Sequence, residues 1–329
     1  MKEYKLVCLN EKIRLALEKD ILQAEATLNQ WVEDGWELMQ IVPYSGFGAI
    51  IAVMRREKRE QTMIDVRYNY LTGKAGKLPD DFVIDKRIDP DGDGCKELYD
   101  DLQTAYFGDP EMNHRHGIQT IENRKQYSRS GAFYTLFVNG DEHLLSSDYI
   151  GPSVYWAGEQ GMTDAQIRDF LSTCRTIGGH IVWPRGSDIK DRKTINRQRG
   201  GDKSLYDRMD WTLLLLKFFY MADGDKERYL NYTRQTGTMQ QVIENESRFL
   251  NMFEAFSCSR SWLDRFGSFE DFCKQFKLNG TGNFVTEHFE VRPMAPWFPI
   301  LPADYERFCE NVCEAVAVRN QEIRECEGE

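Results

Sequence analysis

Apolar and polar positions alternate with a period of two over residues 3–9, which predicts an opening strand. The period then lengthens. From Asp20 to Gly35, the side chains Ile21, Leu28, Trp31 and Val32 share one helical face, with Asp20 placed as N-cap and Gly35 as the C-terminal stop. Residues 36–43 and 47–55 return to strand patterning on either side of a turn at Tyr44-Ser45-Gly46. A charged stretch from Arg55 to Gln61 follows and reads as a linker. These patterns predict a small βαββ domain over 1–60 and a separate body over 61–329.

In the body, residues 132–138 and 142–146 read as a hairpin over Asn139-Gly140-Asp141, a sequence suited to a tight turn. Thr163 is placed to cap a helix running to about Cys174, and Gly178-Gly179 opens a strand through Val182. After Ser204 the period is helical, over 204–222, 225–233, 238–256, 268–277 and 303–326. Pro293, Pro296, Pro299 and Pro302 separate the last of these from the others. The run from Trp211 to Tyr220 is the most apolar, but it is too short to span a membrane and contains Lys217; it reads as a buried core helix. The predicted fold class is α+β, a small βαββ N-terminal domain followed by a larger mixed domain whose C-terminal half is largely helical.

Composition narrows the functional classes. With 41% apolar and 12% aromatic residues in 329, the chain has material for a sizeable core. A net charge of −11 argues against a general electrostatic grip on nucleic acid or an anionic membrane. The charge is blocky, however. Residues 79–113 hold eleven acids against three bases, residues 185–208 eight bases against four acids, and residues from 303 onward eight acids against three bases. The eight cysteines are scattered and include no Cys-x-x-Cys pair, so they read as reduced thiols. Cys309 and Cys313 share a helical face, and no second pair in the sequence answers them. The N-terminus reads as a strand and not as a signal peptide. A soluble, cytoplasmic protein is expected.

Two resemblances emerge from particular residues. Glu3-Tyr4-Lys5, Leu28 through Gly35-Trp36-Glu37-Leu38, and an apolar strand ending at Arg55–Lys58 together resemble a small bacterial and phage domain of unknown function. The body resembles an uncharacterised bacterial family over about 63–320. The residues that carry this likeness are Asp65 to Tyr70, Asp89 with Asp91, Leu145 to Asp148, Gly178-Gly179 with Trp183-Pro184, Thr194 to Asn196, Arg199-Gly200, and Asp207-Arg208 with Asp210, Thr212 and Leu213. Gln198 stands where such a relative has a small residue. Neither resemblance implies an activity. The second implies that Asp89 and Asp91 matter more than Asp93.

Three constellations could carry chemistry. Residues 89–100 set acids at loop positions 1, 3, 5, 9 and 12 with Gly94 at position 6, as a calcium loop would. Pro90, Lys96 and the short Asp100 depart from that pattern, and Pro79 and Pro90 forbid a preceding helix. An acidic turn capping a helix from near Lys96 competes with a divalent-metal site at Asp89 and Asp91. His114 and His116 point the same way on a strand and could add nitrogen ligands. The third constellation is the stretch from Gly178 to Arg208. Its Arg185, Asn196, Arg199 and Arg208 supply guanidinium forks and an amide suited to phosphate, although arginines paired with the chain's own acids would look the same.

Asp207 and Asp210 lie three apart on one helical face, facing either a site or a buried arginine. Asp210 is the candidate general base and His180 the candidate proton carrier. Nucleophile elbows and catalytic cysteine contexts do not occur.

Two functions follow. One is a non-enzymatic interaction or regulatory module, docking or self-associating through the free hairpin edge of the N-terminal domain. The alternative is a binding domain or metal-assisted phosphoryl or hydrolytic enzyme for a nucleotide or nucleic-acid end. Its catalytic residues would be His180 and Asp210, its ligand-binding residues Arg185, Asn196, Arg199, Asp207 and Arg208, and its divalent-metal ligands Asp89 and Asp91. The first is the base expectation, because no catalytic motif is present. The cofactor, apart from that metal, and the protein or small-molecule partner are not specified by the sequence.

Overall fold

The structure, a computed structural model, describes residues 2–8, 24–25, 28–29, 32, 37–44, 49–57, 64–84, 96–107, 114–117, 133–138, 141–151, 158–159, 161–184, 194–201, 208–225, 227–228, 231, 246–296 and 301–326. The chain divides into two compact units, Met1–Met63 and Ile64–Glu329.

In the first unit the alternating segments form β1 (Lys2–Cys8), β2 (Glu37–Tyr44) and β3 (Ala49–Glu57), an antiparallel sheet in the order β1-β3-β2. β3, the most apolar of the three, takes the centre, and Ala52 and Met54 are fully buried on one of its faces. Leu38 pairs with Met54 and Ile41 with Ala52, and a register shift between Leu38 and Gln40 bulges the edge strand. Pro43 lacks an N–H, which a strand bonded to one neighbour tolerates. The helix expected over 20–35 is described as helical at residues 24–25, 28–29 and 32.

The second unit begins with a small ribbon, β4 (Tyr68–Asn69) and β5 (Lys74–Ala75), followed by α1 (Lys96–Phe107). An antiparallel sheet then runs in sequence order: β6 (His114–Gly117), β7 (Phe133–Val138), β8 (Asp141–Tyr149) and β9 (His180–Pro184). Between β8 and β9 lies α2 (Asp164–Cys174). Its start is fixed by a capping box, in which the Gln166 N–H donates to Thr163 Oγ1 at 3.3 Å and the Thr163 N–H donates to Gln166 Oε1 at 2.9 Å. A 3₁₀ turn at Ile177–Gly179 joins α2 to β9. A Cβ on Gly178 would sit 2.7 Å from the Val316 carbonyl oxygen, so the glycine lets the two backbones approach.

The named elements after β9 are helices: α3 (Ile195–Gly201), α4 (Met209–Met221), α5 (Glu246–Cys258), α6 (Arg260–Leu263), α7 (Phe269–Gln275) and α8 (Pro302–Cys326). α4 is buried on nearly all sides, as its apolar run predicts. α8 is amphipathic. Tyr305, Phe308, Val312, Ala315, Val316 and Ile323 form one buried stripe at helical spacing. Trp183 of β9 stacks on Phe272 of α7 with ring centroids 5.5 Å apart, bringing sheet and helices into one core.

The fold class is therefore α+β. The helical periods read from the sequence begin only after Ser204, and α3 lies ahead of them within the basic stretch. Ile195 and Arg199, four residues apart, are both fully buried there, so one face of a basic segment packs inward. No helix among the described residues is long and apolar enough to cross a membrane.

Candidate functional site

Several of the second unit's buried polar groups lie around the paired ends of β8 and β9. Ser147, Asp148 and Tyr149 face Val182, Ile181 and His180 in antiparallel register. α1 covers this end of the sheet. The Ser147 N–H donates to Tyr99 Oη at 2.9 Å, and Tyr106 Oη donates to the His180 carbonyl at 3.3 Å.

His180 is fully buried, and neither ring nitrogen has a hydrogen-bond partner among the described residues. Aromatic rings enclose it instead. Tyr70 meets it edge-on with centroids 5.5 Å apart, and Tyr149 lies tilted at 5.1 Å. The Arg175 guanidinium carbon sits 3.4 Å above the centroid of the Tyr149 ring. Burial, and then the charges of Arg175 and Arg319, hold the imidazole well below the ordinary histidine value. The ring is neutral at physiological pH. A proton carrier needs a donor or acceptor in reach, and the described residues provide none to either nitrogen.

Arg199 and Arg208 are both fully buried, each with a carboxylate of its own. Arg199 projects from α3 to donate to Asp148 through Nη1, to Thr212 Oγ1 through Nε at 3.0 Å, and to the Tyr149 carbonyl through Nη2 at 3.1 Å. Arg208 grips Asp210 bidentately, Nε to Oδ1 at 3.0 Å and Nη2 to Oδ2 at 2.5 Å. It also donates to the carbonyls of Pro296 and Ala295. Asp210 further accepts the Trp211 N–H on Oδ1 at 2.9 Å and the Met294 N–H on Oδ2 at 3.0 Å. Each carboxylate oxygen thus accepts two hydrogen bonds. This arrangement fastens the start of α4 to residues 294–296 and leaves Asp210 poorly placed to take a proton from a ligand.

Asn196, one turn from Arg199, is half-buried. Its Nδ2 donates to the Ser147 carbonyl at 3.5 Å, while its buried Oδ1 has no partner among the described residues. Arg185, Asp207, Asp89 and Asp91 lie outside the described residues. His114 and His116 fall on β6, opposite Leu136 and Tyr134 of β7. Among the described residues no group of three or more His, Cys, Asp or Glu side chains is placed to hold a metal ion.

The sheet end therefore brings together His180, Asn196 and Arg199, with Arg208 and Asp210 forming a second polar centre at the start of α4. Several partners were not legible beforehand. Asp148 stood within a motif of the body resemblance, but nothing in the sequence joined it to Arg199, 51 residues away. Arg319 had a readable signal, a charged residue within the apolar stripe of α8. Buried, it donates to the carbonyls of Gly178, His180 and Phe276 and to Tyr106 Oη at 2.6 Å. One cation thus closes the 3₁₀ turn, the start of β9 and the end of α7.

No curated protein and no solved structure matches the chain. A family model does, over residues 81–323, nearly the stretch that carried the resemblance of the body. That span is well over half of the sequence, and the chain belongs to this family of unknown function, DUF6994.

Proposed function

We propose that the protein is a non-enzymatic interaction module that associates with a second copy of itself along β2. The observation that carries this reading is the open rim of the first unit. Leu38, Met39, Ile41 and Val42 are 38%, 46%, 48% and 38% exposed on an edge strand. Leu38 and Ile41 lie in register with Met54 and Ala52, so the apolar row buried at the centre of the sheet continues out to a strand that pairs on one side only among the described residues. Exposed edges are ordinarily blunted by charge. Here the one charge on the strand, Glu37, is paired with Arg55, whose Nε donates to Glu37 Oε2 at 3.1 Å. Antiparallel pairing of β2 with its copy about Met39 and Gln40 sets Glu37 opposite Val42, so no like charges meet.

The chemistry of the body supports the same reading. Asp148 and Asp210 both hold internal arginines. The alternative, a phosphate ligand in the basic stretch, is weaker for the same reason, since Arg199 and Arg208 already carry these partners. Sedimentation velocity over a dilution series is the test. Wild type is expected to form a reversible dimer, and Ile41→Lys, which puts an unpaired charge into the interface, to associate at least about a hundredfold more weakly, roughly 3 kcal/mol. A wild-type chain that stays monomeric at the highest concentration overturns self-association.

A further inference from the structure

Cys309 and Cys313 find their missing counterpart in the structure. Cys174, the last residue of α2, reaches α8 and places its sulfur 3.7 Å from Cys313 Sγ. Cys174 is buried, whereas Cys313 is partly exposed. Cys309 lies one turn earlier on α8, with its sulfur 3.5 Å from Met162 Sδ.

We propose that Cys174 and Cys313 are an oxidation site for a hydroperoxide, which joins the two sulfurs in a disulfide. Cys313 is the less buried residue of the pair and Cys174 the fully buried one. In the first step the Cys313 thiolate attacks one peroxide oxygen. The O–O bond breaks, Cys313 becomes a sulfenic acid, and hydroxide leaves to be protonated to water. In the second step the Cys174 sulfur displaces the sulfenic oxygen, which departs as water with the Cys174 proton. One peroxide is reduced to two waters (one water and one alcohol for an organic hydroperoxide), and two thiols are oxidised by two electrons.

Electrostatics divides the roles in the same way. Hydrogen bonding from Cys174, with help from Thr173 and the Arg175 charge, holds Cys313 below the ordinary thiol value despite its burial. Burial pushes Cys174 well above that value and raises Cys309 as well. The less buried thiol is therefore the one whose thiolate form is favoured. The sulfurs need only close from contact to a bond length of about 2.05 Å, between helices that already pack together. The product ties the end of α2 to the middle of α8.

The experiment uses the full, reduced chain treated with a small molar excess of hydrogen peroxide, followed by thiol alkylation, intact mass and a non-reducing peptide map. The expected product is one Cys174–Cys313 linkage, reversed by dithiothreitol, with a thermal midpoint above that of the reduced protein. In Cys174→Ser, the sulfenic acid on Cys313 should persist long enough for dimedone to capture it. In Cys313→Ser, the loss of thiols should slow by at least tenfold. Thiol loss in Cys313→Ser at the wild-type rate overturns the proposal, as does a map showing a Cys309–Cys313 link or only higher oxides. The wild-type map decides the matter even if either variant fails to fold.

Discussion

At His180 the protein holds a titratable ring where its charged form is costly, and this has a measurable consequence. The depressed folded value means that, below about 6.5, the unfolded chain takes up a proton that the folded chain refuses. Stability is therefore unaffected by this residue above that pH. As pH falls through the window below it, stability drops by up to about 1.4 kcal/mol per unit, until the folded value is reached. His180→Phe keeps a ring between Tyr70 and Tyr149 and removes the titration. Urea melts between pH 5 and pH 7.5 should show a shallower acid slope for the variant than for wild type, and equal slopes would disprove the assignment. The sequence marked His180 as the histidine set among polar groups, but it could not show that those groups reach the backbone and not the ring. Arg199 and Arg208 teach the same lesson. Residue type showed that each needs an oxygen partner, and only the packed chain shows that Asp148 and Asp210 supply it.

Elements were more legible than partners, because periodicity is local. The three strands of the N-terminal sheet, the β7–β8 hairpin, the Thr163 cap and the apolar run of α4 all follow from spacing and turn chemistry within a few residues. α3 was obscured because its basic composition suggests solvent, whereas the spacing of Ile195 and Arg199 turns one face inward. At the start of α4 the buried Arg208–Asp210 pair is part of how the helix is anchored. Asp210→Ala strands a desolvated guanidinium and should cost about 3–5 kcal/mol of stability. Replacing both partners by apolar residues, Arg208→Met with Asp210→Leu, should recover most of that loss. Chemical denaturation of the single and double variants measures both effects. A single variant as stable as wild type would free Asp210 for another role.

At the scale of the molecule, the division into Met1–Met63 and Ile64–Glu329 puts the edge proposed for association in one unit and the large buried core in the other. A chain starting at Ile64 is expected to unfold in one cooperative transition and to have lost self-association. Aggregation of that chain in place of a sharp transition would show that the two units need each other. Within the body, the position of Arg319 late in the chain sets an order of events during synthesis. The carbonyls of Gly178, His180 and Phe276 have been made long before the guanidinium that bonds to them. Contacts of such long sequence separation close slowly. Until residues 302–326 emerge from the ribosome, the faces of α2 and the 3₁₀ turn that α8 covers stay open to water and to chaperones. A message truncated ahead of α8 would therefore yield not a shorter working protein but a substrate for degradation.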